Sequence, residues 1–70
     1  MTKEEILLIF SSNLRHRIKT AGYSVLAFAK IAGLSHNSLK EWTSGRAIPR
    51  VDSLSKICIV LKIELHELFK

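Results

Sequence analysis

The sequence is poorest in the residues that cross-link, break or interrupt structure. Its 70 residues include one cysteine (Cys58), one proline (Pro49) and three glycines (Gly22, Gly33 and Gly45). A lone cysteine forms no intramolecular disulfide, so a reducing cytosol is the expected compartment. Glycine and proline are too few for a Gly-rich phosphate loop or a Pro/Ser-rich linker, and there is no internal repeat. The longest purely apolar runs, such as Ile6 to Phe10, are far short of the ~20 residues that span a membrane. The start of the chain has neither the basic segment nor the small-residue cleavage site of a signal peptide. His16, His36 and His66 are too scattered for a zinc set, and one cysteine does not complete it. No Ser/His/Asp grouping reads as a triad. A chain this short buries only about 60% of its unfolded surface, which leaves one small core and no deep cleft. No enzyme, metal or cofactor is expected.

What is present is apolar and basic. Hydrophobic residues make up 47% and charged residues 24%, a globular rather than disordered composition. Eleven Lys and Arg against six Asp and Glu give +5 with His neutral. The excess is local: residues 1–12 carry −1, residues 13–50 carry +6, and residues 51–70 carry zero. A basic middle beside neutral ends suits a polyanionic partner.

Periodicity predicts an all-α chain. Thr2-Lys3-Glu4-Glu5 is a capping-box pattern. Leu7, Phe10, Leu14, Ile18 and Ala21 then recur as one apolar stripe, which Gly22 ends. Ser24 is a good N-cap for a second helix to about Ile31, with Tyr23 placed to staple against Phe28. Ser35 caps a third, with Leu34 and Leu39 as its staple. Gly45 closes that helix, and Ile48-Pro49 forbids its continuation. A fourth helix runs from about Val51 to Leu61, with Leu54, Ile57, Cys58 and Leu61 facing inward. Leu65 to Phe69 form a last turn or two, giving five helices. No period-2 alternation flanked by turn residues supports strands. Trp42 and Cys58 both sit at inward positions, so a core tryptophan and a buried structural thiol are expected.

The informative feature is the pair of short helices at Val25–Ile31 and Ser35–Ser44, joined by Ala32-Gly33-Leu34. Ala29 is small enough for close approach of the second helix, and Gly33 can take the positive φ of a tight turn. Phe28, Ala32, Leu34, Leu39 and Trp42 supply apolar contacts between the helices. This is helix-turn-helix spacing. On Leu14, Gly22-Tyr23-Ser24, Phe28-Ala29, Gly33-Leu34-Ser35, Leu39, Gly45, Pro49, Leu54, Ile57, Leu61 and the closing Ile63–Phe69, the chain resembles the λ repressor/Cro-like helix-turn-helix domains, the XRE family. The resemblance covers nearly the whole chain. It implies a compact five-helix DNA-binding domain over residues 1–70, with the helix-turn-helix at 24–44, and a dimeric regulator of transcription.

It also implies that Ser35–Ser44 is the recognition helix, with its N-terminal residues in the major groove. The exposed face carries His36, Asn37, Lys40, Glu41 and Ser44. Asn37 can bond an adenine edge bidentately, and Glu41 can accept from a cytosine amine. Lys40 can reach guanine or a phosphate, and His36 can donate to a phosphate or to guanine N7. Phosphate contacts are expected from Ser24 and the Val25 amide at the start of the second helix, from Ser44, and from Arg46 and Arg50 in the loop beyond. Two departures stand out. The family commonly has Gln after the first cap, where this chain has Val25. The family often joins Arg on the first helix to Glu on the third, where this chain has Ile18 and Thr43, a repacked core.

The expected partners are double-stranded DNA, a second copy of the chain and possible regulatory proteins, at the nucleoid in the cytoplasm. So short a chain has no room for a sensor domain, so an effector response is expected to come through a partner. A protein-interaction module on the same scaffold, of antitoxin or anti-regulator type, is the alternative. Ile6 to Phe10 either packs on the last helix around Leu65 and Phe69 or forms a contact surface.

Overall fold

A computed structural model describes residues 1–70 as four α-helices and a closing 3-10 turn, with no strand. Helix α1 (Lys3–Thr20) starts where the sequence requires. The Thr2 side chain accepts from the Glu5 N–H at 3.1 Å, and the Glu5 carboxylate accepts from the Thr2 N–H at 2.8 Å. At 18 residues α1 extends about 27 Å, most of the molecule's 32 Å long dimension. The other helices are short: α2 (Val25–Ala32), α3 (His36–Thr43) and α4 (Val51–Leu61). Ser24 and Ser35 cap α2 and α3, accepting from the N–H groups of Ala27 and Ser38 at 3.1 and 3.3 Å. Arg50 precedes α4 without a side-chain cap, and Asp52 supplies the acid in its first turn.

Each element contributes its apolar stripe to one core. Phe10, Leu14 and Ile18 come from α1, and Phe28, Ala29 and Ala32 from α2. Leu39 comes from α3, Leu54 and Ile57 from α4, and Leu68 from the closing turn (Leu65–Leu68). Each large side chain of this set contributes about 1.5–3 kcal/mol through burial. The Tyr23–Phe28 staple is present, with ring centroids 5.8 Å apart. Leu34 and Trp42 pack against the core without being fully enclosed.

The stripe is narrower at its ends than the periodicity predicts. Ala21 is exposed, because the chain leaves the helix there: it is the C-cap of α1. Cys58 and Leu61 face the core as expected but are only half-buried, packed against it rather than enclosed, and Cys58 also borders an open groove with Val51, Leu54 and Leu65. Lys62 ends α4 in the left-handed conformation, φ 57°, where the other helix ends use glycine. Its N–H and that of Ile63 close the helix on Ile59 and Cys58 at 3.3 and 3.1 Å. The expected fifth helix is the four-residue 3-10 turn, closed by Glu67→Glu64 and Phe69→His66 backbone bonds.

Of the Ile6–Phe10 run, Phe10 takes the packing role expected on the closing turn. Phe10 is fully buried and packs on Phe69, ring centroids 5.2 Å apart. Ile6, Leu7 and Ile9 are half-buried, and Leu8 is 64% exposed. Leu65 turns away from this run and lines a groove with Val51, Leu54 and Cys58. Asn13 fastens the same contact, its amide donating to the Leu68 carbonyl at 3.1 Å.

An ion pair completes the closing turn. The Glu67 carboxylate accepts from the Glu64 N–H at 2.7 Å and from the Arg17 guanidinium at 2.9 Å. The Glu64 N–H first, and then Arg17, hold its carboxyl below the usual carboxylate range. A carboxyl depressed by folding stabilises fully above its unfolded value, and that contribution disappears as pH falls through the folded value. The melting temperature is therefore expected to fall on acidification below about pH 5. Glu67→Gln, which keeps an acceptor but no charge, is expected to remove part of that acid slope. An identical slope in parent and variant would separate Glu67 from the acid response.

Candidate nucleic-acid interface

The turn between α2 and α3 is built from backbone bonds. The N–H groups of Gly33 and Leu34 return to the carbonyls of Lys30 and Ala29 at 3.3 and 2.8 Å. That closure requires Gly33 in the left-handed region, φ 70°. Ser35 caps α3 immediately afterwards, so the two helices are fixed by Gly33-Leu34-Ser35, one residue later than the spacing predicts. Leu39 and Thr43 are buried beneath α3, and Trp42 is half-buried at its side. Thr43 needs no partner outside the helix, because its hydroxyl donates to the Leu39 carbonyl at 3.0 Å.

The far end of α3 is held by α1, through contacts the sequence reading missed. The Arg15 guanidinium donates to the Thr43 carbonyl, placing a cation on the negative end of the helix. Gly45 lies against α1, where an added Cβ would stand 3.3 Å from the Ser11 hydroxyl, and its φ of 81° favours glycine independently. At the position of the family's buried Arg–Glu pair, Ile18 is 2% and Thr43 7% exposed, and no buried side-chain polar atom is unsatisfied. An arginine contact to the end of α3 is still made, from Arg15, while Arg17 pairs with Glu67. A long side chain bonding a carbonyl 28 positions away leaves no periodic trace in sequence.

The opposite face of α3 is open and polar. Asn37, Lys40, Glu41, Ser44 and Arg46 together line one shallow hollow, with no apolar residue among them. Glu41 and Arg46 are bonded to each other there, Oε2 to Nη1 at 3.1 Å, with side chains 50% and 72% exposed. The Ser44 hydroxyl donates to the Glu41 carbonyl at 3.1 Å.

The other expected contact residues lie outside this hollow. His36 is exposed at the first position of α3. Arg50 lies in a second hollow with Ser35, Ser38, Trp42, Ser53 and Lys56. Lys56 was not singled out from sequence, although Arg50, Ser53 and Lys56 recur at three-residue steps along one side of α4. Ser24 and Val25 stand at the start of α2, where the Ser24 hydroxyl caps Ala27 and Val25 packs against the core. The first N–H groups of that helix have no acceptor within it.

Cys58 lines neither of these hollows. Burial first, and then the Glu64 and Glu67 carboxylates, push its thiol above the usual range, so it stays protonated at neutral pH. No helix is long and apolar enough to cross a membrane.

Two short helices about a fixed turn, with the second presenting a polar outer face, define a helix-turn-helix protein. The helix-turn-helix family pattern matches residues 14–68, and the chain belongs to that family, the XRE kind of DNA-binding transcription regulators. Among solved structures it is similar to the SOS-response transcriptional repressor LexA from Eubacterium rectale, with a TM-score of 0.89 and 30% sequence identity. That match covers 100% of this chain and 74% of the other. No curated protein matches the chain.

Proposed function

We propose that the protein is a sequence-specific DNA-binding transcription regulator of the Cro/repressor type, acting without catalysis or cofactor at the nucleoid in the cytoplasm. Residues 1–70 act as one domain that places α3 in the major groove. His36, Asn37, Lys40 and Glu41 contact base edges, while Ser24, the Val25 amide, Ser44, Arg46 and Arg50 contact phosphates. The observation that carries this reading is the outer face of α3, which gathers Asn37, Lys40, Glu41, Ser44 and Arg46 around one hollow with no apolar member. Base edges are read by such groups in pairs, each good pair giving ~1–3 kcal/mol of discrimination.

The regulator binds as a homodimer on an inverted repeat with half-sites about one helical turn, ~34 Å, apart. Val51 and Ile59, 81% and 73% exposed on α4, support a contact between copies, since apolar groups at that exposure favour cover.

The test is selection from random duplex DNA at near-physiological salt. An enriched inverted repeat is expected, and its spacing gives the dimer geometry. A single enriched half-site would remove the homodimer from the reading. No enrichment, with binding only in the ~10⁻⁴–10⁻⁶ M range of non-specific complexes, would replace it by a protein-interaction module.

A further inference from the structure

We propose that Glu41 is a specificity-determining residue that acts by masking Arg46. In the free protein its carboxylate occupies the guanidinium, and it releases it only where a base edge offers the carboxylate another donor. This rests on the DNA-binding reading above and deepens it.

The placement of Glu41 is the first observation. It is the only acid among residues 13–50, which hold seven Lys and Arg. It stands in the hollow that α3 turns outward, where any carboxylate faces the phosphates of a bound duplex. The bond from Arg46 to Glu41 is the second, at 3.1 Å between side chains 72% and 50% exposed. An ion pair this wet contributes little to the fold, so stability does not account for an acid at the centre of a basic surface.

The pair is also held ready by the backbone. The Arg46 N–H donates to the Glu41 carbonyl at 3.1 Å as the chain turns back through Gly45, φ 81°. The two residues are thus joined at main chain and side chain alike. With the main chain fixed, closing the ion pair costs side-chain freedom only. Asn37 and Lys40, on the same hollow, make no side-chain hydrogen bond within the chain and are free to meet DNA.

Two outcomes follow on DNA of the wrong sequence. If Arg46 stays with Glu41, no phosphate is neutralised by it. If Arg46 leaves, a bare carboxylate faces the phosphates. A cytosine amine in reach resolves the conflict, because the carboxylate accepts from N4 and the guanidinium turns to a phosphate. Glu41 therefore lowers affinity for arbitrary DNA more than for a matching site.

The test needs no knowledge of the matching sequence. The parent chain, Glu41→Gln, Arg46→Gln and the double variant are titrated with a random-sequence duplex of about 20 base pairs over a series of salt concentrations. That length exceeds one helical turn. Glu41→Gln is expected to bind roughly tenfold tighter at ~50 mM salt, with a salt slope steeper by about 0.9, the signature of one added phosphate contact. In the Arg46→Gln background the same change is expected to leave the slope unaltered. The Glu41→Gln chain is expected to melt within about 2 °C of the parent, as befits an exposed pair.

If the parent and Glu41→Gln both bind with salt-dependent affinity but equal slopes, the masking role is wrong while the DNA-binding reading stands. If the steeper slope persists without Arg46, Glu41 acts as a general repulsive charge and the masking role is again wrong. If no chain binds duplex at ~50 mM salt, where backbone contacts are strongest, the DNA-binding reading itself falls.

Discussion

Reversing the charge of Arg46 and Arg50 together is expected to weaken binding to the selected duplex about a hundredfold at ~0.1 M salt, and to flatten the salt slope by about 1.8. Two phosphate contacts account for the slope, because each neutralised phosphate releases about 0.9 counterion. Repulsion from the new carboxylates adds to the loss of affinity. The fold is expected to survive, since Arg46 is 72% exposed and Arg50 caps α4 without any side-chain hydrogen bond. A melting curve and a salt titration on the same preparation separate the two effects. Unchanged affinity in a folded variant would remove both arginines from the interface. Asn37→Ala gives the contrasting pattern: about tenfold lost discrimination at one base, with the slope unchanged.

Ile18→Arg is expected to leave the chain largely unfolded. Ile18 is 2% exposed, in the same core as Leu14, Phe28 and Leu39. A guanidinium there arrives without a partner, and an uncompensated buried charge costs ~3–5 kcal/mol. A chain of this length holds only about 3.5–10 kcal/mol in total, at ~0.05–0.15 per residue. Urea unfolding followed by helical circular dichroism measures the loss. Ile18→Val, costing about 0.5–1.5 kcal/mol, provides the comparison with no added charge. A parental midpoint for Ile18→Arg would mean that the side chain escapes the core. The neighbouring positions show where arginine does fit: Arg15 reaches the Thr43 carbonyl and Arg17 reaches the Glu67 carboxylate.

Helix starts were legible in the sequence because their signals are local. Thr2, Ser24 and Ser35 each bond an N–H three residues on, and that spacing is visible in the sequence. Gly22, Gly33 and Gly45 all take positive φ for the same short-range reason. The exposed face of α3 was legible too, since a 3.6-residue period separates buried Leu39 from Asn37, Lys40 and Glu41. Lys62 was not, because a lysine in the left-handed region carries no composition signal. Neither was the exposure of Ala21, since periodicity continues past the point where the chain leaves the helix. The candidate site was legible as a set of residues but not as an arrangement. Arg50, His36, Ser24 and Val25 share the surface of the molecule with Asn37 and Arg46 without sharing their hollow. The Glu41–Arg46 pair falls in the same class: each residue was assigned its own contact, and distance alone shows that they hold one another.

The eight-residue length of α3 sets a limit on information. Eight residues extend about 12 Å, alongside roughly three or four base pairs at 3.4 Å each. A four-letter word drawn from four bases recurs about once in 250 random positions, hence thousands of times among the ~10⁶ or more sites a genome presents. A reader of that size, however tightly it grips, addresses a vocabulary and not a location. Two such readers held at a fixed separation make an eight-letter word, recurring about once in 65,000 positions, and the spacing itself becomes a further symbol. If α3 reads DNA as proposed, its brevity makes a second reader a condition of finding any one place.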